Sequence, residues 1–321
     1  MSLKEKIVWI GKRESHARAQ LREFGLGVLF ILPNAVVFTA FLLIPVLFTF
    51  YISAFEWSIL GGRGEFVGLD NYRSLMDPMP WEDSWAPVRS PGINLWWWAV
   101  SRTAIFTFGV VPMVIFGGLA VALLIDSDIR GGTFWRTAYF IPVMLAGAIS
   151  AVIWRWILDW QGILNEFLRP VGLAHPWVGN TTTALPSVML VAIWAGIGFN
   201  MIIYLAGLQN IPDALYDAAH IDGANQWQRF RHVTWPSLNN ITFFVIVLAI
   251  ISSFQVFAFA FVMTRGGPHF ATTTIVVLIY NRAFQGGQMG LAAAMSIFLF
   301  FIIFMFSYWQ YRMRDTGEVV A

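Results

Sequence analysis

Polar and apolar positions alternate along this chain on the scale of whole segments. With Asp, Glu, Lys and Arg taken as breaks, uncharged runs cover 24–55, 103–125, 137–154, 170–212, 232–264 and 283–311, the last trimmed by Gln and Gly to about 289–311. A helix needs about 20 apolar residues to cross a bilayer. Only helices and closed barrels satisfy every backbone group in lipid, and these runs lack the period-two alternation of barrel strands. The pattern predicts an all-α integral membrane protein with six transmembrane helices, at about 26–52, 103–125, 137–156, 186–209, 238–263 and 289–311. Residues 1–25 and 312–321 are left as polar tails, and 211–236 as the one sizeable polar loop on the side of the tails.

Composition agrees with this reading. Of the 321 residues 58% are hydrophobic and 12% charged, against about 25% charged in an average soluble domain. A net charge of +2, with no basic block outside the amino-terminal tail, gives nucleic acid nothing to bind. There are no cysteines, which excludes disulfides and thiolate sites. The first apolar run is far longer than a signal-peptide core of about 7–15 residues, so it is expected to remain as an anchor. With the amino terminus inside, the inner segments carry Lys4, Lys6, Lys12, Arg13, Arg18, Arg22, Arg130, Arg136, Arg229, Arg231, Arg312 and Arg314. The outer segments carry fewer basic residues over a greater length, and the positive-inside rule therefore places both termini in the cytoplasm.

Two outer stretches stand out. The first holds Pro78, Pro80, Pro87 and Pro91 with Trp81, Trp85 and the run Trp96-Trp97-Trp98. It reads as an irregular loop lying on the membrane. The stretch from 155 to 186 is similar, with room for a short interfacial or re-entrant piece.

No catalytic chemistry is written in the chain. His16, His175, His220, His232 and His269 are scattered without metal-ligand spacing. A phosphate-gripping loop needs Gly-Lys-Ser/Thr, and every lysine precedes residue 13. Any nucleotide that drives this protein must be bound by another chain. Ionisable residues are nearly absent from the spans, which weakens a proton-coupled mechanism. Gly117, Gly118 and Ala122 in the second span read as close-packing positions.

The 211–236 loop has the strongest pattern. Pro212 suits the first turn of a helix and Asp213 its positive end, while Leu215, Ala218 and Ala219 share one face. Asp222-Gly223 reads as a turn, because glycine readily adopts the positive φ that ends a helix. A second helix is expected from Ala224, with Trp227 and Phe230 three apart and Pro236 leading into the fifth span. Small Ala218 and Ala219 let another protein approach closely, and Asp217 offers it a carboxylate.

Asp217-Ala218-Ala219, three residues, Gly223, nine residues and Val233-Thr234-Trp235-Pro236 resemble the Glu-Ala-Ala loop of ATP-binding-cassette (ABC) importer permeases. The fuller run from Ile211 to Ala224 resembles the binding-protein-dependent sugar-permease branch, similar to maltose permeases. This chain departs in Asp217 for Glu, Val233 for Ile and Trp235 for Leu. Further landmarks follow in order: Phe66-Val67-Gly68-Leu69-Asp70-Asn71-Tyr72, Arg136 to Pro142, Thr264 to Pro268 with Thr272-Thr273-Thr274, and Gly290 to Ala294.

The resemblance implies a type I importer fold and a permease that is not an enzyme. It implies a second homologous permease, two nucleotide-binding ATPase subunits that hold ATP and Mg, and an extracytoplasmic substrate-binding protein. This chain itself would bind no cofactor and would sit in a bacterial or archaeal cytoplasmic (inner) membrane. Asp217, Ala218, Ala219, Asp222, Gly223, Ala224, Phe230 and Pro236 would couple it to the ATPase. Trp194-Ala195-Gly196 resembles a Trp-x-Gly element of the substrate site. Asn200 and Tyr204 follow in the same span, and Ser252, Ser253 and Gln255 are candidates from the fifth. Aromatic faces and amides suit a sugar, and the resemblance implies a di- or oligosaccharide. A polyol or glycerol 3-phosphate is the alternative solute, and a standalone channel or secondary transporter the alternative mechanism.

Overall fold

The computed structural model describes residues 23–24, 26–76, 94–127 and 131–315. The basic residues up to Arg22, Arg130, and Pro78, Pro80, Trp81, Trp85, Pro87 and Pro91 lie outside them.

The first apolar run forms α1 (Leu26–Ser53). A hairpin follows, β1 (Phe55–Ser58) paired antiparallel with β2 (Gly62–Phe66), and it is the one sheet among the described residues of an otherwise helical chain. After the short α2 (Asp70–Arg73), the second run forms α3 (Leu95–Asp126). This helix starts eight residues before the expected span. Asn94 caps it, its Oδ1 accepting from the backbone N–H groups of Trp96 (3.0 Å) and Trp97 (3.3 Å), so the tryptophan run is helical. Trp96 is fully buried, its ring edge-on to Phe298 with centroids 5.4 Å apart, and belongs to the core instead of the membrane surface.

The third run does not form one straight helix. It divides into α4 (Gly132–Met144) and α5 (Gly147–Ile157), bent by 100° at Leu145-Ala146. Both elbow residues have extended ψ, 131° and 137°. Pro142 near the end of α4 has no N–H to continue the ladder, which favours the break there. A short helix, α6 (Ile163–Leu168), follows, then α7 (Ala184–Leu208) as the fourth span. The 211–236 loop contains α8 (Asp213–Ile221) and α9 (Gln226–Arg229). The fifth span is α10 (Asn239–Phe254) continued by α11 (Ala258–Thr264). After α12 (Ile275–Tyr280), α13 (Met289–Asp315) completes the bundle.

The core lies chiefly between α3 and α7, where Phe106, Val110, Val114, Val188, Met201 and Leu205 are buried together. Close approach depends on small residues. A Cβ on Gly118 would sit 2.7 Å from that of Asn200, and one on Gly198 would overlap the Tyr139 carbonyl, so α7 is clasped between α3 and α4. A second core, around Leu75, Leu95, Trp96, Ile275 and Met295, joins the start of α3 to α12 and α13. The same end is pinned by polar contacts: Trp98 Nε1 donates to the Phe270 carbonyl (2.9 Å), Ile275 N–H to Thr103 Oγ1 (2.9 Å) and Thr274 Oγ1 to the Val256 carbonyl (3.0 Å). The Thr264–Thr274 landmarks thus form a knot fastened to the second and fifth spans.

Candidate functional site

The 211–236 loop is built from its ends. Pro212 precedes α8 as its cap, in extended conformation (ψ 130°), and Asp213 is the first helical residue, one position later than the sequence reading. At the other end the Gly223 N–H donates to the His220 carbonyl (3.1 Å) and the Ala224 N–H to that of Ala219 (2.9 Å). This paired closure requires a left-handed residue, and Gly223 supplies it with φ +74°. Asp222 is the C-cap.

The second helix begins at Gln226 instead of Ala224. Asn225 claims the cap: its Oδ1 accepts from Gln228 N–H (2.9 Å), while Gln228 Oε1 accepts from Asn225 N–H (2.8 Å). A π turn at Phe230–Thr234 and a short turn at Trp235–Ser237, containing Pro236, lead into α10. The two arms meet where Tyr216 Oη lies 3.0 Å from Thr234 Oγ1. Phe230 stacks on Trp227 with centroids 5.5 Å apart and packs on the core.

No residue of α8 is buried. Of the three residues expected to share a face, Leu215 and Ala218 are exposed and Ala219 is half-buried, and Ile221 is 85% exposed. Tyr216 is half-buried and packs on the core. The helix rests on its aromatic Tyr216 and turns Leu215 and Ala218 away from this chain, which leaves Ala218 open to another protein. Asp217 is exposed beside that apolar surface, and among the described residues it forms no ion pair. A carboxylate flanked by exposed Ala218 and Ile221 can receive a cation within an apolar contact.

A cavity of about 300 Å³ lies among α3, the α4–α5 elbow, α7 and α10. Gly196, Asn200, Ser252 and Ser253 line it, together with Phe106, Phe199 and Phe259. No charged side chain does. Asn200 Nδ2 donates to the Gly196 carbonyl (3.1 Å). The aromatic contributors had no signal in sequence, because 29 phenylalanines leave no contrast among the spans.

Three candidates lie elsewhere. Trp194 lines a separate pocket of about 160 Å³ with Trp135, Tyr139 and Ile197, its ring 5.6 Å from that of Trp154. It stands two positions before Gly196, about 200° around the helix, which turns it to another face of α7. Tyr204 is fully buried in the core, about one turn beyond Asn200 along the helix and outside the cavity lining. Gln255 is exposed at the end of α10 and outside the cavity lining.

The sequence model for the binding-protein-dependent transport system inner membrane component matches residues 91–314. The chain belongs to that family. It is an ABC importer permease, the non-catalytic membrane component, integral to the inner membrane. The permease is 30% identical over 297 residues to the probable ABC transporter permease protein YurN of Bacillus subtilis, covering 90% of this chain and 96% of that one. It is 31% identical over 293 residues to the trehalose/maltose transport system permease protein MalF of Thermococcus litoralis, covering 91% and 94%. A solved bacterial ABC transporter involved in the import of the acidic polysaccharide alginate has the same fold, with a TM-score of 0.74, 20% identity, and coverage of 94% of this chain and 99% of that one.

Proposed function

We propose that this permease imports a neutral sugar, a di- or oligosaccharide. The observation that carries this reading is the cavity: Asn200, Ser252 and Ser253 offer hydrogen bonds beside three phenylalanines, with no charge in the lining. Such a surface suits a ring with hydroxyl edges and apolar faces. An anion there would lose hydration without a countercharge, at a cost of several kcal/mol. This disfavours glycerol 3-phosphate. The full-length likeness to a trehalose/maltose permease points to the same solute class.

In this reading a second permease completes the path, a soluble receptor delivers the sugar, and two ATPase subunits hold ATP and Mg. Both termini are cytoplasmic, so the 211–236 loop faces the ATPases. α8 seats in a groove of an ATPase subunit, with Asp217 paired to a basic residue. The α4–α5 elbow and α7 carry that movement to the cavity, since α7 runs from the cavity wall to within four residues of α8.

The test is uptake by the complete importer in proteoliposomes. Labelled maltose, trehalose and maltotriose should include a transported solute, whereas glycerol 3-phosphate and a trigalacturonate should not be taken up. Uptake of an anionic solute alone would overturn the assignment.

A further inference from the structure

Between α5 and α7 the chain folds into a small lobe, residues 158–183, at the end of the bundle opposite the 211–236 loop. Asn165 is its fully buried centre. Its Nδ2 donates to the carbonyls of Asp159 (3.2 Å), Trp160 (3.3 Å) and His175 (2.9 Å), and its Oδ1 accepts from His175 N–H and Trp177 Nε1, both at 3.0 Å. The Trp177 carbonyl in turn accepts from Thr183 Oγ1 (2.9 Å) and Ser187 Oγ (3.2 Å), which ties the lobe to the first turn of α7. Leu164 packs inward on the main core. The lobe is therefore held in shape by its own polar hub.

Its other side is apolar and uncovered. Ile163, Phe167 and Val171 recur four residues apart along α6 and the turn that continues it, and they are 64%, 76% and 65% exposed. Trp156 and Trp160, from the end of α5 and the turn after it, are 72% and 50% exposed. The hub prevents these side chains from collapsing onto the protein. The face also continues the exposed side of α5, where Ile149 and Ile153 precede Trp156. Polar groups keep to the flank, where Glu166 and Arg169 pair at 2.8 Å with both side chains exposed.

We propose that this face is a membrane foot: it lies in the headgroup layer with lipid as its partner and holds the far end of α5 at constant depth. An amphipathic turn with its aromatic side against the acyl boundary and its ion pair toward water is the arrangement an interface favours. The face is continuous with the exposed apolar side of α5, which belongs to the third membrane-spanning run, and this continuity favours lipid over a soluble partner as its occupant. The flank carries both signs of charge, which gives no field to draw a charged docking partner. With its end fixed, bending of the third span would concentrate at the Leu145-Ala146 elbow, beside the cavity.

The chain has no cysteine, so single labels need no background removal in it. Ile163→Cys, Phe167→Cys, Val171→Cys and Glu166→Cys would each be given a nitroxide. Each would be assembled with cysteine-free partner chains in phosphatidylethanolamine–phosphatidylglycerol liposomes and checked for retained uptake. The proposal expects oxygen to reach the labels at 163, 167 and 171 several-fold more readily than a nickel chelate, with the reverse at 166. Free access of the chelate to all four sites would overturn it. So would shielding of 163, 167 and 171 that arises only when the receptor is added, which would make the face a protein-docking surface.

Discussion

The 211–236 loop and the cavity are held in place by opposite means. The loop buries no residue of α8 and is shaped by the Gly223 closure and the Asn225–Gln228 box, each spanning a few residues, and by the Tyr216–Thr234 contact between its own two arms. The cavity owes its form to distant segments pressed together, with Gly118 against Asn200 and Gly198 against Tyr139. A part held chiefly by its own hydrogen bonds, with Tyr216 and Phe230 resting on the core, can be rigid and still present its outer surface to another chain. A part held by close packing cannot move without moving the helices around it. In the proposed mechanism α7 couples the two, and five substitutions would break or sharpen the contrast.

The largest effect is expected at Asp217. If the carboxylate is buried against a basic residue of the ATPase, Asp217→Lys costs on the order of 3–5 kcal/mol of assembly. ATPase subunits should then fail to co-purify, with the melting temperature of the isolated permease unchanged. Full co-purification would reduce the pair to a surface contact of about 0–1 kcal/mol. Next comes Gly118→Leu, which overpacks α3 on α7 and should destabilise the permease itself by about 1–3 kcal/mol. Its thermal unfolding in detergent should shift downward, and an unshifted transition would mean that the helices are not in the contact described. Asn225→Ala removes the cap of α9 at about 1 kcal/mol, local to the loop. It should lower receptor-stimulated ATP hydrolysis and leave the affinity for sugar untouched; a changed affinity would contradict the separation of loop from cavity. Smallest is Asn200→Ala. Loss of one hydrogen bond of about 0.5–1.5 kcal/mol should raise the KM for uptake several-fold, whereas Trp194→Ala, in its separate pocket, should leave KM unaltered. Equal effects at the two positions would merge the pockets that the structure separates.

The same contrast explains what could be read from sequence. The Gly223 turn was legible because the forces that make it act between neighbours, and the six apolar runs because bilayer thickness sets their length. Errors arose where tertiary context decided. Trp96 resembles an interfacial anchor until Asn94 extends the helix and Phe298 covers the ring. The 100° elbow at Leu145-Ala146 interrupts an apolar run whose composition hardly changes there, and only Pro142 gives warning. In α8 the shared face of Leu215 and Ala218 was legible from helical spacing, but the seat on Tyr216 was not, because its contact with the core is tertiary. The cavity was half legible. Gly196, Asn200, Ser252 and Ser253 stand out as polar or small residues within apolar spans, whereas the phenylalanines beside them are the commonest residue of the lipid-facing surface as well. The lobe around Asn165 was visible as a stretch, but its hub depends on backbone carbonyls, which carry no sequence signal.

Ala218 gives the most direct measure of the central claim, that α8 is the surface through which an ATPase subunit drives this permease. Its side chain is exposed, and in this chain it has room to grow. Receptor-stimulated ATP hydrolysis and sugar uptake would be followed in the same proteoliposomes carrying Ala218→Trp, alongside the melting temperature of the isolated permease. The account predicts an unchanged melting temperature with both activities lost; wild-type hydrolysis and uptake with tryptophan at 218 would contradict it.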